Sequence, residues 1–454
     1  MNIIHYLIGL PEYRKGGATI YAFDLLEEQS KNSNNRIAVL IPGDTLCMGK
    51  TSFIQNKGLY KGIPIYSIHN PVIEPLMNGV RKAEYILYGE RHFNKKNIED
   101  FYAKVHPDII HLHTLMGIPK FFLCYMKSKG VKIVMTSHDY YGICPRVNLI
   151  DKNHHLCSNP SGKFCKDCNS DAKSLWKLYI INSTFFLKFK KFIPRFIKAK
   201  FISSTYSFPD NSIKLHISND ETFTKLFQYY MSFFKILDGI HFNSEISKDI
   251  YSKYIDLPFN KVIPITNKFI SDHRKIKIFS THLRFTYIGD VSSNKGFPYL
   301  KNILISLKRE GYNNWELNQW GTNYVGIDKQ CDNIKYRGLY IANQLSKIYD
   351  ETDLLIIPST WYETFGLVAL EALSYGAPVL MTNKVGAQLL IKDLAPDYIV
   401  GSFEQMKEKL LEVIKQPNIL RDYNNVIVHD KNINFSETKH CKDIINFYKE
   451  VIML

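Results

Sequence analysis

The sequence predicts an α/β protein built from two doubly wound halves that face a central cleft. Three observations carry that expectation. Short, continuously apolar runs recur along the chain with helical material between them, the pattern of parallel strands buried on both faces. The alternation pauses and restarts near 264–280, which predicts two units rather than one. The 454 residues, 45% hydrophobic and 22% charged, suffice for two to three domains at ~100–200 residues each. The same composition excludes a disordered or collagen-like chain.

The elements follow in order. Ile3 to Leu10 reads as a buried first strand: it lacks a basic leading region and stops at Pro11, so a signal peptide is not expected. Secretion is then not expected either, and the 8 cysteines read as reduced thiols or metal ligands. Gly16-Gly17 opens an amphipathic helix to about Ser30. Strands follow at Arg36 to Ile41, Asp108 to His113 and Val131 to Thr136. A loop containing Cys, Asn and Gly spans 142–169, a basic aromatic stretch covers 172–201, and the strand pattern resumes at Gly239 to Asn243. The second unit begins near Arg284 to Gly289. It continues through Ile334 to Gly338, Asp353 to Pro358 and Pro378 to Thr382. The expected division is a first domain over 1–272, a second domain over 273–430, and a C-terminal helix in 431–454 packing back on the first domain. In such sheets ligands bind beyond the carboxyl ends of the strands. No run of ~18 apolar residues predicts a spanning helix.

The segment Pro358 to Val379 carries the chemistry. A strand ends at Pro358, and a helix is expected from about Phe365 to Tyr375, stopped by Gly376 and Pro378. The backbone N–H groups of Thr364, Phe365, Gly366 and Leu367 would lie at its start, where about half a positive charge binds phosphate. Glu363 stands just before the helix. Glu371, eight positions on, would sit about 80° around and ~12 Å along, so one carboxylate meets a sugar and the other a more distant hydroxyl pair. The plainer reading makes Glu363 a terminal charge and Glu371 a solvated residue. Against it, Glu371 lies between Leu370 and Ala372 on a largely apolar helix and needs a partner.

On these residues the chain resembles the GT-B glycosyltransferases, specifically the retaining family-4 type. The Glu363-x7-Glu371 element followed by Gly376-Ala377-Pro378-Val379 is its most specific mark. Gly16-Gly17 resembles the family's glycine-rich loop of the first domain, and Thr136-Ser137-His138-Asp139 its T-x-H element. Asn243-Ser244 and Val262-Ile263-Pro264 resemble the segments leading to the interdomain link. Ile288-Gly289 with Lys295-Gly296 resembles the donor-phosphate region. The resemblance implies a fold of two Rossmann-like domains and a nucleotide-diphosphate sugar as donor. It implies that Glu371 binds the ribose hydroxyls and that Glu363 contacts the transferred sugar. Lys295 would neutralise the departing diphosphate, Gly16, Gly17 and Gly289 would let backbone approach it, and His138 would line the acceptor side and touch the donor sugar. The reaction would retain anomeric configuration and require no cofactor or catalytic metal. The family usually has Arg or Lys soon after the glycine matching Gly289, where this chain has Asp290. Arg284 or Lys268 would then substitute, or Lys295 acts alone. His111 and His113 alternate on a strand and read as structural.

Two further features stand outside that pattern. Cys144, Cys157, Cys165 and Cys168 occupy one loop, and the C-x-x-C spacing of Cys165 and Cys168 suits a structural zinc. Four reduced thiols or a labile disulfide is the plainer reading. Cys47, Cys124, Cys331 and Cys441 read as buried thiols. Between 172 and 200, eight Lys and Arg residues fall with no acid among them. Phe185, Phe186, Phe189, Phe192, Ile193, Phe196 and Ile197 share one arc of a helix, and the bases lie mostly outside it. An anionic membrane interface suits that pattern, an ordinary packed helix is the alternative, and nucleic acid is disfavoured for want of a recognisable module. These eight bases equal more than half of the net charge of +15. The resulting expectation is a cytoplasmic glycosyltransferase, peripheral on the inner face of the plasma membrane. It would transfer sugar to a lipid-linked or polysaccharide acceptor in cell-surface polysaccharide biosynthesis. The alternative is an inactive protein of the same fold that binds a nucleotide sugar or acts as a scaffold.

Overall fold

The structure is a computed structural model and describes residues 1–14, 16–45, 51–160, 162–189 and 220–454. Cys47 and residues 190–201 of the basic aromatic stretch lie outside the described residues. The first domain holds β1 (Asn2–Tyr6), β2 (Arg36–Pro42), β3 (Thr51–Tyr60), β4 (Ile63–His69), β5 (His92–Phe93), β6 (Ile109–Leu112), β7 (Lys132–Thr136), β8 (Gly239–Phe242) and β9 (Phe259–Val262). They form one sheet in the order β5-β3-β4-β2-β1-β6-β7-β8-β9. Strands β4 to β9 in that order run parallel, and β3 pairs antiparallel with β4.

Side chains of a strand alternate between its faces, which is why these strands are apolar throughout. Ile3, Val39, Ile109 and Val134 enter one core, while Ile4, Leu40, Ile110 and Ile133 enter the other. The first face lies under the helices Gly17–Ser30 and Glu437–Met453, which supply Tyr21, Leu25, Ile444 and Phe447. The second is covered through Ile98, Phe101, Phe122 and Phe233 from the helices Lys95–Val105, Lys120–Ser128 and Thr222–Phe234. Helix Glu437–Met453 sits directly on β8. A Cβ at Gly239 would lie 2.8 Å from Val451 and 2.9 Å from Phe447.

The second domain holds β10 (Leu283–Ile288), β11 (Trp315–Trp320), β12 (Val325–Ile327), β13 (Ile334–Gly338), β14 (Leu354–Ile357), β15 (Val379–Thr382) and β16 (Ile399–Val400). Their order is β12-β13-β11-β10-β14-β15-β16, parallel except for β12. The order reverses between β10 and β14, and a crevice opens at such a switch point. The two domains meet at the same end of their sheets. The Thr364 hydroxyl donates to the His138 carbonyl at 3.0 Å, and a Cβ at Gly386 would lie 2.6 Å from the Ser244 hydroxyl.

Four expectations change. The first strand ends at Tyr6 rather than Leu10, because the Leu10 carbonyl accepts from Tyr13 and Arg14 and closes a turn. The β3–β4 hairpin was not expected. Its two-residue turn, Lys61-Gly62, has both residues at positive φ, the signature of a tight hairpin connection. Residues 172–189 form two short helices, Leu175–Asn182 and Thr184–Phe189, rather than one arc: Phe186 is buried, while Phe185 and Phe189 are exposed. Cys124 is exposed because its helix turns Phe122, Leu123 and Met126 inward instead.

Candidate active site

The pocket at the carboxyl ends of β10 and β14 has a volume of about 240 Å³, and its lining includes Gly289, Lys295, Tyr340, Glu363, Gly366 and Leu367. Two loops build it. The loop after β10 carries Gly289 to Gly296, and the loop after β14 carries Pro358 to Gly366. They are stitched together: the Thr360 amide donates to the Asn294 carbonyl at 2.9 Å, and its hydroxyl reaches the Ser293 carbonyl at 3.0 Å. Gly296 is essential to that closeness. It has φ +77°, and a Cβ there would stand 1.7 Å from the Pro358 carbonyl oxygen.

Lys295 is thereby brought to Glu363, with Nζ 2.9 Å from Oε1, and lies over the Trp361 ring at 5.3 Å. The Ser359 hydroxyl donates to the same Glu363 oxygen. The Glu363 backbone is pinned as well, donating to the Lys384 carbonyl and accepting from the Gly386 amide. The helix expected from Phe365 begins at Leu367, with Gly366 in the left-handed conformation just before it. Glu363 therefore precedes the helix in a bridge to Val385, and helical arithmetic does not relate it to Glu371. Gly366 and Leu367 open the helix with N–H groups that lack intrahelical partners and line the pocket. Thr364 and Phe365 instead hold the loop: Thr364 bonds to His138, and the Phe365 carbonyl accepts from Ala387.

Glu371 lies one turn into that helix, outside the pocket lining. Burial pushes its carboxyl up to about 7, opposed by a hydrogen bond from the Tyr349 hydroxyl at 3.1 Å. Gly16 and Gly17 are exposed at the start of their helix, with nothing within 4 Å of a Cβ on either. His138 is half-buried, and burial lowers its imidazole to about 3. Neither substitute for the missing cation reaches the pocket. Arg284 is locked at the opposite end of the strands in a two-pronged pair with buried Asp353, at 2.7 and 3.1 Å. Lys268 pairs with Asp24 at 2.8 Å and Glu27 at 3.4 Å in the first domain. Asp290 is exposed and accepts from the Ser292 amide. Tyr340, Ser359 and Trp361 went unnoticed in the sequence, since an isolated Ser or aromatic has no spacing signature.

Cys144, Cys157, Cys165 and Cys168 are free thiols facing one loop interior. Burial, reinforced by the neighbouring thiols, pushes Cys144 and Cys165 up to about 12. Among the described residues, the metal-capable side chains whose donor atoms lie within 4.8 Å of one another are His5, His111 and His113.

A pocket at the switch point of a two-domain Rossmann-like protein, lined by a cation, a carboxylate and a helix start, stands in an architecture that matches GT-B glycosyltransferase structures. Residues 282–416 match the family model described as Glycosyl transferases group 1. Two relatives are proteins of the cps region of Klebsiella pneumoniae. An uncharacterized 41.2 kDa protein is 29% identical over 30% of this chain and 37% of its own length. An uncharacterized 42.6 kDa protein is 22% identical over 87% of this chain and 89% of its own. The fold resembles a sucrose-phosphate synthase from Thermosynechococcus elongatus, with TM-score 0.58, 12% identity and 100% of each chain covered. It also resembles Anabaena HepE in complex with UDP and glucose, with TM-score 0.55, 13% identity and 99% of each chain covered.

Gly296→Ala should cost at least the roughly 1–2 kcal/mol of a left-handed non-glycine residue, plus the collision with Pro358. Gly311 has φ +94° with nothing within 4 Å of a Cβ, so Gly311→Ala isolates the backbone cost. Denaturant unfolding should show the larger loss at Gly296; equal losses would remove the close approach as a constraint.

Proposed function

We propose that the protein transfers a sugar from a nucleotide-diphosphate sugar to a lipid-linked or polysaccharide acceptor, with retention and without a catalytic metal. The observation that carries this reading is the convergence of Lys295, Glu363 and the start of helix Leu367–Ser374 on one pocket. As the sugar–oxygen bond breaks, the departing diphosphate gains negative charge. Lys295 and the N–H groups of Gly366 and Leu367 offset that charge and lower the barrier. They supply the positive charge that a metal supplies elsewhere. Glu363, held by Ser359, orients the transferred sugar when Lys295 turns to phosphate. Glu371 takes the ribose hydroxyls, with the exposed Gly16-Gly17 backbone closing on the phosphates from the facing domain. Attack from the face that the diphosphate leaves gives retention without a covalent intermediate. The Klebsiella relatives of the cps region support a role in cell-surface polysaccharide biosynthesis. A second reading, a protein that holds a nucleotide sugar without turnover, draws on Asp290 and on the engagement of Arg284 and Lys268 elsewhere.

Two accessory features complete the proposal. The four loop cysteines form a structural zinc site once their sulfurs draw together, with no open position for chemistry. Trp176 and Phe185, 70% and 72% exposed beside Lys173, Lys177 and Lys188, dock the first domain on an anionic membrane. No helix among the described residues is long and apolar enough to cross a membrane.

Four measurements test these statements. In a thermal-shift panel of nucleotide sugars, a specific donor should stabilise the fold, and that donor should be turned over. Glu363→Ala or Lys295→Ala should reduce transfer by at least about 100-fold with the melting temperature little changed; full activity in both would defeat the assignment, and donor stabilisation without turnover would favour the second reading. Zinc should be present near one ion per chain and be lost in Cys165→Ser; a zinc-free preparation of full stability excludes the site. Vesicles containing phosphatidylglycerol should sediment the protein at low salt, and Trp176→Ala with Phe185→Ala should weaken this. Equal recovery with neutral vesicles would exclude an anionic surface.

A further inference from the structure

Under helices Gly17–Ser30 and Glu437–Met453, one face of the first sheet carries histidines on adjacent strands. His5 pairs in register with His111, and Thr136 with His241. Each neutral imidazole has one N–H and one lone pair, so a known proton at one end of a hydrogen-bonded chain determines the next. Burial keeps these rings neutral: His5 and His241 are lowered to about 4, and His111 and His113 well below their ordinary value.

The chain starts at a carbonyl, which can only accept. His241 Nε2 donates to the Ile263 carbonyl at 2.7 Å, leaving its Nδ1 bare. The Thr136 hydroxyl donates to that Nδ1 at 2.9 Å and, its proton used, accepts from His111 Nε2 at 2.7 Å. His111 Nδ1 is then bare and accepts from the Tyr448 hydroxyl at 2.6 Å. With its one proton committed, the Tyr448 oxygen accepts from the Gln29 amide nitrogen at 3.3 Å. That sets the orientation of the amide, whose oxygen accepts from His5 Nε2 at 2.8 Å. His5 Nδ1 then accepts from His113 Nε2 at 3.0 Å, and His113 Nδ1 from His138 Nε2 at 3.1 Å. His138 Nδ1 is left with a lone pair, and it has no partner among the described residues.

We infer that this chain of hydrogen bonds locks His138 as an acceptor whose Nδ1 lone pair takes a hydrogen bond from a substrate hydroxyl. Tyr448 and His113 act as positioning residues. The inference rests on the reading of His138 as a residue of the sugar-transfer cleft, which its carbonyl's bond to Thr364, the residue after Glu363, supports. A half-buried imidazole free to exchange tautomers would meet the same hydroxyl with a donor part of the time. The locked form removes that mismatch before substrate arrives. A metal at His5, His111 and His113 fits less well. Their ring nitrogens are already engaged, and the His5 and His113 rings stack at 17° instead of converging.

The test is nitrogen-15 spectroscopy of the full chain labelled at histidine. His138 should carry its proton on Nε2; a proton on Nδ1, or a mixture, overturns the inference. Tyr448→Phe should release Gln29 and give a mixture at His138, and Thr136→Val, which cuts the chain elsewhere, should do the same. An unchanged His138 in both variants overturns it, as does zinc shifting the nitrogens of His5, His111 and His113. Once a donor is identified, Tyr448→Phe should lower kcat/KM roughly tenfold, the value of about one hydrogen bond. Failure to transfer any sugar would defeat the glycosyltransferase reading while the tautomer result stands; transfer by a protein whose His138 carries its proton on Nδ1 would defeat this inference alone.

Discussion

Much of the structure depends on the seating of helix Glu437–Met453 against the first sheet at Gly239. The sheet has no side chain at that point, so Phe447 and Val451 pack directly on backbone. Because this helix ends a chain that has already built the second domain, its seating ties the two domains together. It also closes the roof over the histidine face. Gln29 from one helix and Tyr448 from the other satisfy His5 and His111, which would otherwise be buried with unmet polar atoms, and Tyr21 meets His440 Nε2. A polar network inside a core is tolerable when each member has a partner, and it then specifies one arrangement.

The cleft is the second consequence. With the domains tied, the carboxyl ends of both sheets face each other, and His138 comes beside Thr364. The pocket itself is electrostatically lean. Arg284 and Lys268, which in sequence are plausible phosphate ligands, neutralise Asp353, Asp24 and Glu27 instead. That leaves Lys295 and the helix start as the positive elements that line the pocket. Since Lys295 rests on Glu363, any anion that draws the lysine away leaves the carboxylate with its Ser359 bond.

The charge of the chain is unevenly spread along it. The stretch from 172 to 200 holds a large share of the excess bases, and its described part turns Trp176, Phe185 and Phe189 outward. The total therefore says little about the pocket. A single net charge adds contributions that lie far apart in space and act on different partners.

Much of the fold was legible because its signals are local. Continuously apolar runs, a glycine at a helix end and a proline beyond it report on neighbours in the chain. They located β1, β2, β6, β7, β8, β10, β13, β14 and β15. The β3–β4 hairpin was missed because its strands are half-exposed and its turn, Lys61-Gly62, is a weak dipeptide signal. In the site, Glu363, Lys295, Gly289 and Gly366 stand out by spacing, and the structure lines one pocket with them. The sequence by itself thus determined the class of fold and the residues around which a pocket forms. Only the tertiary structure decided which cations remain available to it, since pairing with Asp353 or Asp24 depends on atoms brought together from distant parts of the chain. It also decided the tautomer order beneath His138. That order follows from a carbonyl at Ile263 and a hydroxyl at Tyr448, groups with no pattern in the chain and a meaning only in contact.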